Sequence, residues 1–200
     1  MQATSLNRAI EVDVVVDATV EEAWDAWTTE EGIVSFFAPA CNIDLRVGGP
    51  YEIFFNPDAE PGMRGADDMQ ILAVQPQKML SFTWNSPSEF GEARHQWTHV
   101  VVRLMEVGER QTRVTLFHDG WGEGEMWDGA FNYFVEAWGE IVLPRLRHRF
   151  ANGPVDWSNP PRPEDMKQSL MSRLRNIKIE GPEDFAANID LYMSGEKRID

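Results

Sequence analysis

The sequence predicts an α+β fold: a curved antiparallel sheet of about seven strands wrapped around a long C-terminal helix. Two short helices follow the first strand, and a helical extension closes the chain. Three observations predict this. A two-residue apolar period recurs in one segment after another between Cys41 and His118, with separators of turn composition. The period then switches to three and four residues over Trp127–Phe150, which gives one long apolar stripe. Both that stripe and the inward face of the sheet are rich in aromatic residues, so each can bury the other.

The first strand is "AIEVDVVVDA" (Ala9–Ala18), where apolar and acidic residues alternate before a β-branched run. Thr19 with Glu22 forms a capping-box pattern, and Val20, Ala23, Trp24 and Trp27 then share one helical face. Thr28 with Glu31 repeats the pattern and predicts a second helix over roughly Glu30–Phe37, with Gly32 inside it.

Six further strands are read as "NIDLRV", "YEIFFN", "DMQILAV", "MLSFTWN", "QWTHVVVRLME" and "TRVTLFH". The separators between them are short, so consecutive strands are antiparallel neighbours. Alternation places Tyr51, Ile53 and Phe55 on one face, with Leu80, Phe82 and Trp84, Val100, Val102 and Leu104, and Val114, Leu116 and His118 in the same way.

On the long helix, Trp127, Phe131, Phe134, Trp138, Ile141, Val142, Leu146 and Phe150 form the stripe. Gly139 and Pro144 lie within it. An interior proline costs about 3 kcal/mol, so a kink is predicted near Glu140–Pro144, and Gly153-Pro154 ends the helix. Pro160, Pro161 and Pro163 then make a stiff linker. Met166, Leu170 and Leu174 are one apolar stripe, and Phe185 and Ile189 another behind Pro182. The expected division is residues 1–157 as the main domain and 158–200 as linker and extension. The extension docks on the main domain, docks on a partner, or stays partly disordered.

Composition narrows the function classes. An apolar fraction of 42% with 26% charged residues belongs to a globular protein, and no apolar run approaches the roughly 20 residues of a membrane span. The net charge of −15 sits almost entirely on residues 1–157 and repels phosphate backbones and anionic lipid, which argues against nucleic-acid and membrane partners. Cys41 is alone, and "MQATSLNRAIEV" reads without a secretion signal, so a reducing, cytoplasmic setting is expected.

The stretches "IEVDVVVDATVEEAWDAWTTEEGIVSFFAPA", "DLRVGGPYEI", "VQPQKMLSFTW" and "TRVTLFHDGW", in this order, resemble the helix-grip superfamily (START-like, Bet v 1-like, SRPBCC). Within it they are similar to the branch named after the activator of heat-shock-protein-90 ATPase. The resemblance covers roughly Ala9 to Trp157, and the tail beyond matches no pattern. It implies a single sheet gripping the long helix, with a cavity between them. Relatives include lipid and hormone carriers, polyketide cyclases, ligand receptors and the co-chaperone that names the branch.

The candidate site follows from both readings. Phe36, Phe37, Tyr51, Phe55, Phe82, Trp84, Phe134 and Trp138 are expected to line a pocket for an apolar or aromatic molecule, or else to fill the core. His118 closes an inward-facing series and is the polar candidate for the cavity mouth, as well as the one weak catalytic candidate. His95 and His99, with Trp97, are read on an outward strand face. Their spacing of roughly 13 Å is too wide to chelate one ion. Cys41 is read as a small apolar residue, and Glu30/Glu31, Asp67/Asp68 and Glu123/Glu125 as solvated turns and helix starts. No nucleophile-elbow, zinc-protease or phosphate-loop motif occurs, so neither cofactor nor metal is expected.

The leading expectation is therefore non-enzymatic binding of a small hydrophobic or aromatic ligand, lipid-like or polyketide-like. The alternatives are a chaperone-activator-like interaction module and a cyclase or hydrolase. The last would draw its acid or base from His118, Tyr51, Arg94 or Arg103. A homodimer or a chaperone is the further partner considered.

Overall fold

A computed structural model describes residues 8–166. The tail helices expected around Leu170–Leu174 and Phe185–Ile189 lie outside the described residues. Strand β1 (Ile10–Val16) leads into helix α1 (Val20–Thr28) and helix α2 (Glu30–Val34). The Thr19–Glu22 capping box is closed in both directions, with Thr19 N donating to the Glu22 carboxylate at 2.8 Å and Glu22 N to Thr19 Oγ1 at 3.2 Å.

The second cap differs from the sequence reading. Thr29, not Thr28, receives the Gly32 amide at 3.0 Å, while the Thr28 hydroxyl turns back to the Trp24 carbonyl inside α1. Helix α2 also stops at Val34, three residues earlier than expected, and leaves Phe36 and Phe37 in a fully buried turn. Gly32 sits where the helices meet. A Cβ there would stand 2.0 Å from the Asp25 carbonyl oxygen and 2.7 Å from the Ala26 Cα, so the close approach of α2 to α1 requires glycine.

Strands β2 (Ala40–Ile43), β3 (Tyr51–Phe54) and the two-residue β4 (Gly65–Ala66) form one antiparallel ladder in the order β2-β3-β4. Strands β5 (Ile71–Gln75), β6 (Met79–Trp84), β7 (Thr98–Gly108) and β8 (Gln111–Asp119) join β1 in a second ladder, ordered β1-β8-β7-β6-β5. The expected count of about seven thus becomes eight strands among the described residues, hydrogen-bonded as three and five. The extra strand is β4, hidden in the Pro/Gly-rich loop.

The two ladders are stitched at the Gly48-Gly49-Pro50 corner. Gly48 N donates to the Ile71 carbonyl at 2.8 Å, Ile71 N to the Gly49 carbonyl at 2.9 Å, and Tyr51 N to the Met69 carbonyl at 2.8 Å. These bonds carry the curved antiparallel wall around the turn. Gly49 is required there, because a Cβ would lie 2.2 Å from the Asp44 carbonyl oxygen.

A 3₁₀ segment, Ser88–His95, takes the place of most of the expected loop, and β7 begins at Thr98, two residues after the expected start of its strand. His95 therefore lies outside the strand that holds His99.

The grip is completed by 28 helical residues in series: α3 (Glu125–Glu136), a π-helical segment (Ala137–Val142) and α4 (Leu143–Asn152). The interruption expected near Glu140–Pro144 is this π segment. It resets the hydrogen-bond register so that Pro144 falls in the first turn of α4, where its missing N–H is not needed. Gly153, at φ 98°, ends the helix and donates its N–H to the Arg149 carbonyl. Trp127, Phe134, Trp138, Val142 and Leu146 face the sheet residues Val100, Val102, Val114 and Leu116 in one buried core. Among the described residues no helix is long and apolar enough to cross a membrane.

Candidate functional site

A cavity of about 400 Å³ opens between the end of β6, the β3–β4 loop and the long helix. Phe37 stands at its centre of contacts. Its ring stacks on Trp84 (centroids 5.8 Å, 15°) and meets Trp138 and Phe55 edge-on at 5.8 Å each. Trp84 and Trp138 lie 5.5 Å apart, and Phe134 stacks on Trp138 at 5.9 Å. Such offset and edge-on pairs fix ring positions beyond what burial alone provides. Ala137, Ile141 and Val142 continue the wall along the helix, and the exposed Phe55 and Met63 mark its rim.

Of the eight ligand-lining residues predicted from the sequence, Phe37, Phe55, Trp84, Phe134 and Trp138 line this cavity. Phe55 does so from beyond the end of β3, so its place owes more to the loop than to strand alternation. Tyr51 and Phe82 are fully buried beside the cavity, their rings tilted against each other at 4.3 Å, with Phe82 edge-on to Trp84. The Tyr51 hydroxyl donates to the Trp27 carbonyl at 2.9 Å, and burial drives its pKa well above the usual phenol range. Phe36 stacks on Phe37 from the core side.

His118 is not at a cavity mouth. It is fully buried in the core. The Trp138 indole N–H donates to its Nδ1 at 3.0 Å, which leaves Nε2 as the protonated nitrogen, 2.7 Å from Thr98 Oγ1. The Thr98 hydroxyl passes its own proton to the Trp84 carbonyl at 3.0 Å. Both ring nitrogens are thus used. Burial, reinforced by the nearby charge of His99 when that ring is protonated, holds the His118 pKa well below the usual imidazole value. The chain Trp138–His118–Thr98–Trp84 ties the Trp138 indole to the Trp84 backbone, so both residues of the cavity wall are anchored on one network.

The acidic pair Asp67/Asp68 also differs from its reading as a solvated turn. Asp67 is 3% exposed and accepts the amides of Gly62 (3.0 Å), Arg64 (2.9 Å) and Gly65 (3.0 Å) together with Arg64 Nε at 2.7 Å. Burial on its own would raise its pKa. The Arg64 side chain and the Gly62 and Gly65 amides outweigh that and hold it below the usual carboxylate value. Asp67 is therefore the organiser of the loop that forms the cavity rim.

The sequence reading missed two cavity residues of consequence, Arg64 and Arg145, and gave Arg94 only as a remote acid or base. Arg145 lies four residues after Ile141 of the apolar stripe, and that spacing is the signal that could have found it. Arg103 is exposed on β7, away from the cavity. His99 bonds Ser81 and Asp119 at the outer surface. Cys41 is half-buried, its thiol pushed up to about 11 by burial and then by the neighbouring Glu30. Among the described residues no group of three or more His, Cys, Asp or Glu is placed to hold a metal ion.

A curved antiparallel sheet gripping one long helix over an aromatic cavity defines the helix-grip class of α+β proteins. The family model described as "Activator of Hsp90 ATPase homolog 1-like protein" matches residues 17–151, and the chain belongs to that family. Solved structures agree on the fold. CalU16 from Micromonospora echinospora superposes with a TM-score of 0.54 at 25% identity, over 82% of each chain. An HSP90 activator from Plasmodium falciparum gives 0.52 at 16% identity, over 68% of this chain and 91% of that one. The Aha1 dimer from Colwellia psychrerythraea gives 0.52 at 21%, over 74% and 98%. No curated protein matches the sequence.

Proposed function

We propose that this protein binds a small hydrophobic or aromatic molecule between sheet and long helix, without covalent chemistry. The observation that carries this reading is the cavity itself. Its volume of about 400 Å³ lies within the range of small-molecule sites, and five aromatic side chains of the predicted set line it. Both His118 nitrogens are occupied within the core, which takes the first-named acid or base of the cyclase reading away from the cavity and favours binding. The lone cysteine supports a cytoplasmic setting.

Native mass spectrometry of the purified protein, with a titration of the neutral dye N-phenyl-1-naphthylamine, tests this. A co-purifying small molecule, or saturable one-to-one dye uptake that a Trp84→Ala or Trp138→Ala change weakens, is the expected result. Absence of both sinks the reading.

A second reading rests on the family match and on the structural likeness to an HSP90 activator. In it the protein engages a chaperone ATPase through its surface, as a monomer or as a homodimer, and needs no cavity. Stimulation of a purified chaperone's ATPase that survives Trp84→Ala would favour it, and no stimulation with no pull-down would dismiss it.

A further inference from the structure

The cavity wall carries the opposite charge to the protein around it. The chain has 33 acidic residues against 18 basic ones and a net charge of −15. Yet Arg64, Arg94 and Arg145 all line the cavity, and among the described residues no Asp or Glu does. Chance placement on such an acidic molecule would favour carboxylates.

Two of the three arginines have structural partners. Arg64 is paired with Asp67 behind the wall and lies over the Phe54 ring at 4.0 Å. Arg94 donates to the carbonyls of Ser86, Gly62 and Gly65, which secures the rim loop. Those carbonyls are neutral, so the Arg94 charge persists in the site.

Arg145 is different. It projects from the apolar stripe of the long helix, one turn after Ile141, and its guanidinium lies 5.3 Å from the centre of the Trp157 ring. Its Nε is buried with no hydrogen-bond partner among the described residues. Burial also pulls the guanidinium pKa down from its usual value. A desolvated cationic donor without an acceptor is costly, and that cost is relieved when an anionic acceptor arrives.

Resting on the ligand-binding reading, we propose that the cavity takes an amphipathic organic anion. Its aromatic or polycyclic body packs against Phe37, Trp84 and Trp138, and its carboxylate or other oxyanion group is held by Arg145, with Arg94 adding to the field. Nonpolar rings alone would fill the aromatic wall and leave the Arg145 donor unmet. A cationic ligand would meet three like charges.

The test uses two dyes with the same ring skeleton: N-phenyl-1-naphthylamine, which is neutral, and 8-anilinonaphthalene-1-sulfonate, which adds one anionic group. Both are titrated into the full chain and into Arg145→Met and Arg145→Lys, with circular dichroism as the check of folding. Arg145→Met keeps the apolar stem and removes the charge. It is expected to weaken one-to-one binding of the sulfonate dye at least about ten-fold while the neutral dye changes less than about two-fold. Arg145→Lys is expected to recover part of the loss. In the unaltered protein at 300 mM salt, where the repulsion of the acidic body is largely screened, the sulfonate dye is expected to bind several-fold more tightly than the neutral dye, which decides the matter even if the variants do not fold. Equal losses for both dyes, or a neutral dye that binds as tightly as the sulfonate, overturn the anion proposal alone. No binding of either dye overturns the ligand-binding reading with it.

Discussion

The indole N–H of Trp138 donates to Nδ1 of His118 at 3.0 Å, and this single bond joins the cavity wall to the end of β8. It also fixes the imidazole as the Nε2–H tautomer, which allows the bond to Thr98 and, through it, to the Trp84 carbonyl. Replacing Trp138 by Phe keeps a ring in the wall but leaves Nδ1 as a buried acceptor without a donor. Urea denaturation should show a loss of about 1–3 kcal/mol, beyond the change in ring size.

The same imidazole sets a pH dependence. Its folded pKa is depressed by burial, so the unfolded chain binds a proton that the folded chain does not. The sign follows: the contribution is fully present above the unfolded histidine value of about 6.5 and is lost as pH falls below it. Stability measured between pH 7 and 5 should therefore decline by up to about 1.4 kcal/mol per pH unit from this group. In His118→Gln the protein should be less stable at pH 7, and the slope between pH 6.5 and 5 should fall by one proton. An unchanged slope would show that His118 is not the group responsible.

Asp67 acts at lower pH. Its carboxylate is held below its usual value by Arg64 and the loop amides, so its contribution is present above about pH 4 and is lost as the pH falls through the depressed value. Asp67→Asn should cost about 2 kcal/mol in urea denaturation at pH 7 and loosen the Gly62–Gly65 rim, read as faster amide exchange there.

Most of the fold was legible because its periods are clean. Val100, Val102, Val114 and Leu116 alternate without a break, and the stripe from Trp127 to Leu146 holds its helical spacing across the π segment. What was not legible depended on contacts distant in sequence. Nothing near Asp67 announces that three amides and an arginine converge on it, and the short β4 strand exists only because β3 offers it a partner. The cavity aromatics were visible as apolar residues on inward faces. Periodicity alone cannot say which of them border empty space, and so Tyr51, Phe82 and His118 were grouped with Trp84 and Trp138. Arg145 shares the spacing of the helical stripe, but as a charged residue it is passed over by an apolar pattern.

Gly32→Ala probes the junction of the two short helices. The added methyl would press on the Asp25 carbonyl and the Ala26 backbone, neither of which can rotate away. A loss of about 2–3 kcal/mol is expected from thermal or urea unfolding, whereas a neutral result would mean that α2 shifts freely against α1.

Cys41 should be a poor nucleophile. With its thiol pushed up to about 11, about one molecule in a thousand carries the thiolate at pH 8. Alkylation by iodoacetamide at that pH should run on the order of a hundred-fold slower in the folded protein than in urea, and equal rates would contradict the burial of this thiol.

The π segment fixes more than a place for Pro144. Each helical residue turns the chain by about 100°, so the residue accommodated in that wider turn sets the angular phase of everything after it. Deleting one residue between Ala137 and Val142 would restore a uniform α-helix in nearly the same phase, whereas straightening the segment at its full length would swing Arg145 and Leu146 about a quarter-turn around the axis. The cation would leave the cavity while every residue flanking it kept its identity. In this helix the specificity of the site is written as a rotation as much as a composition.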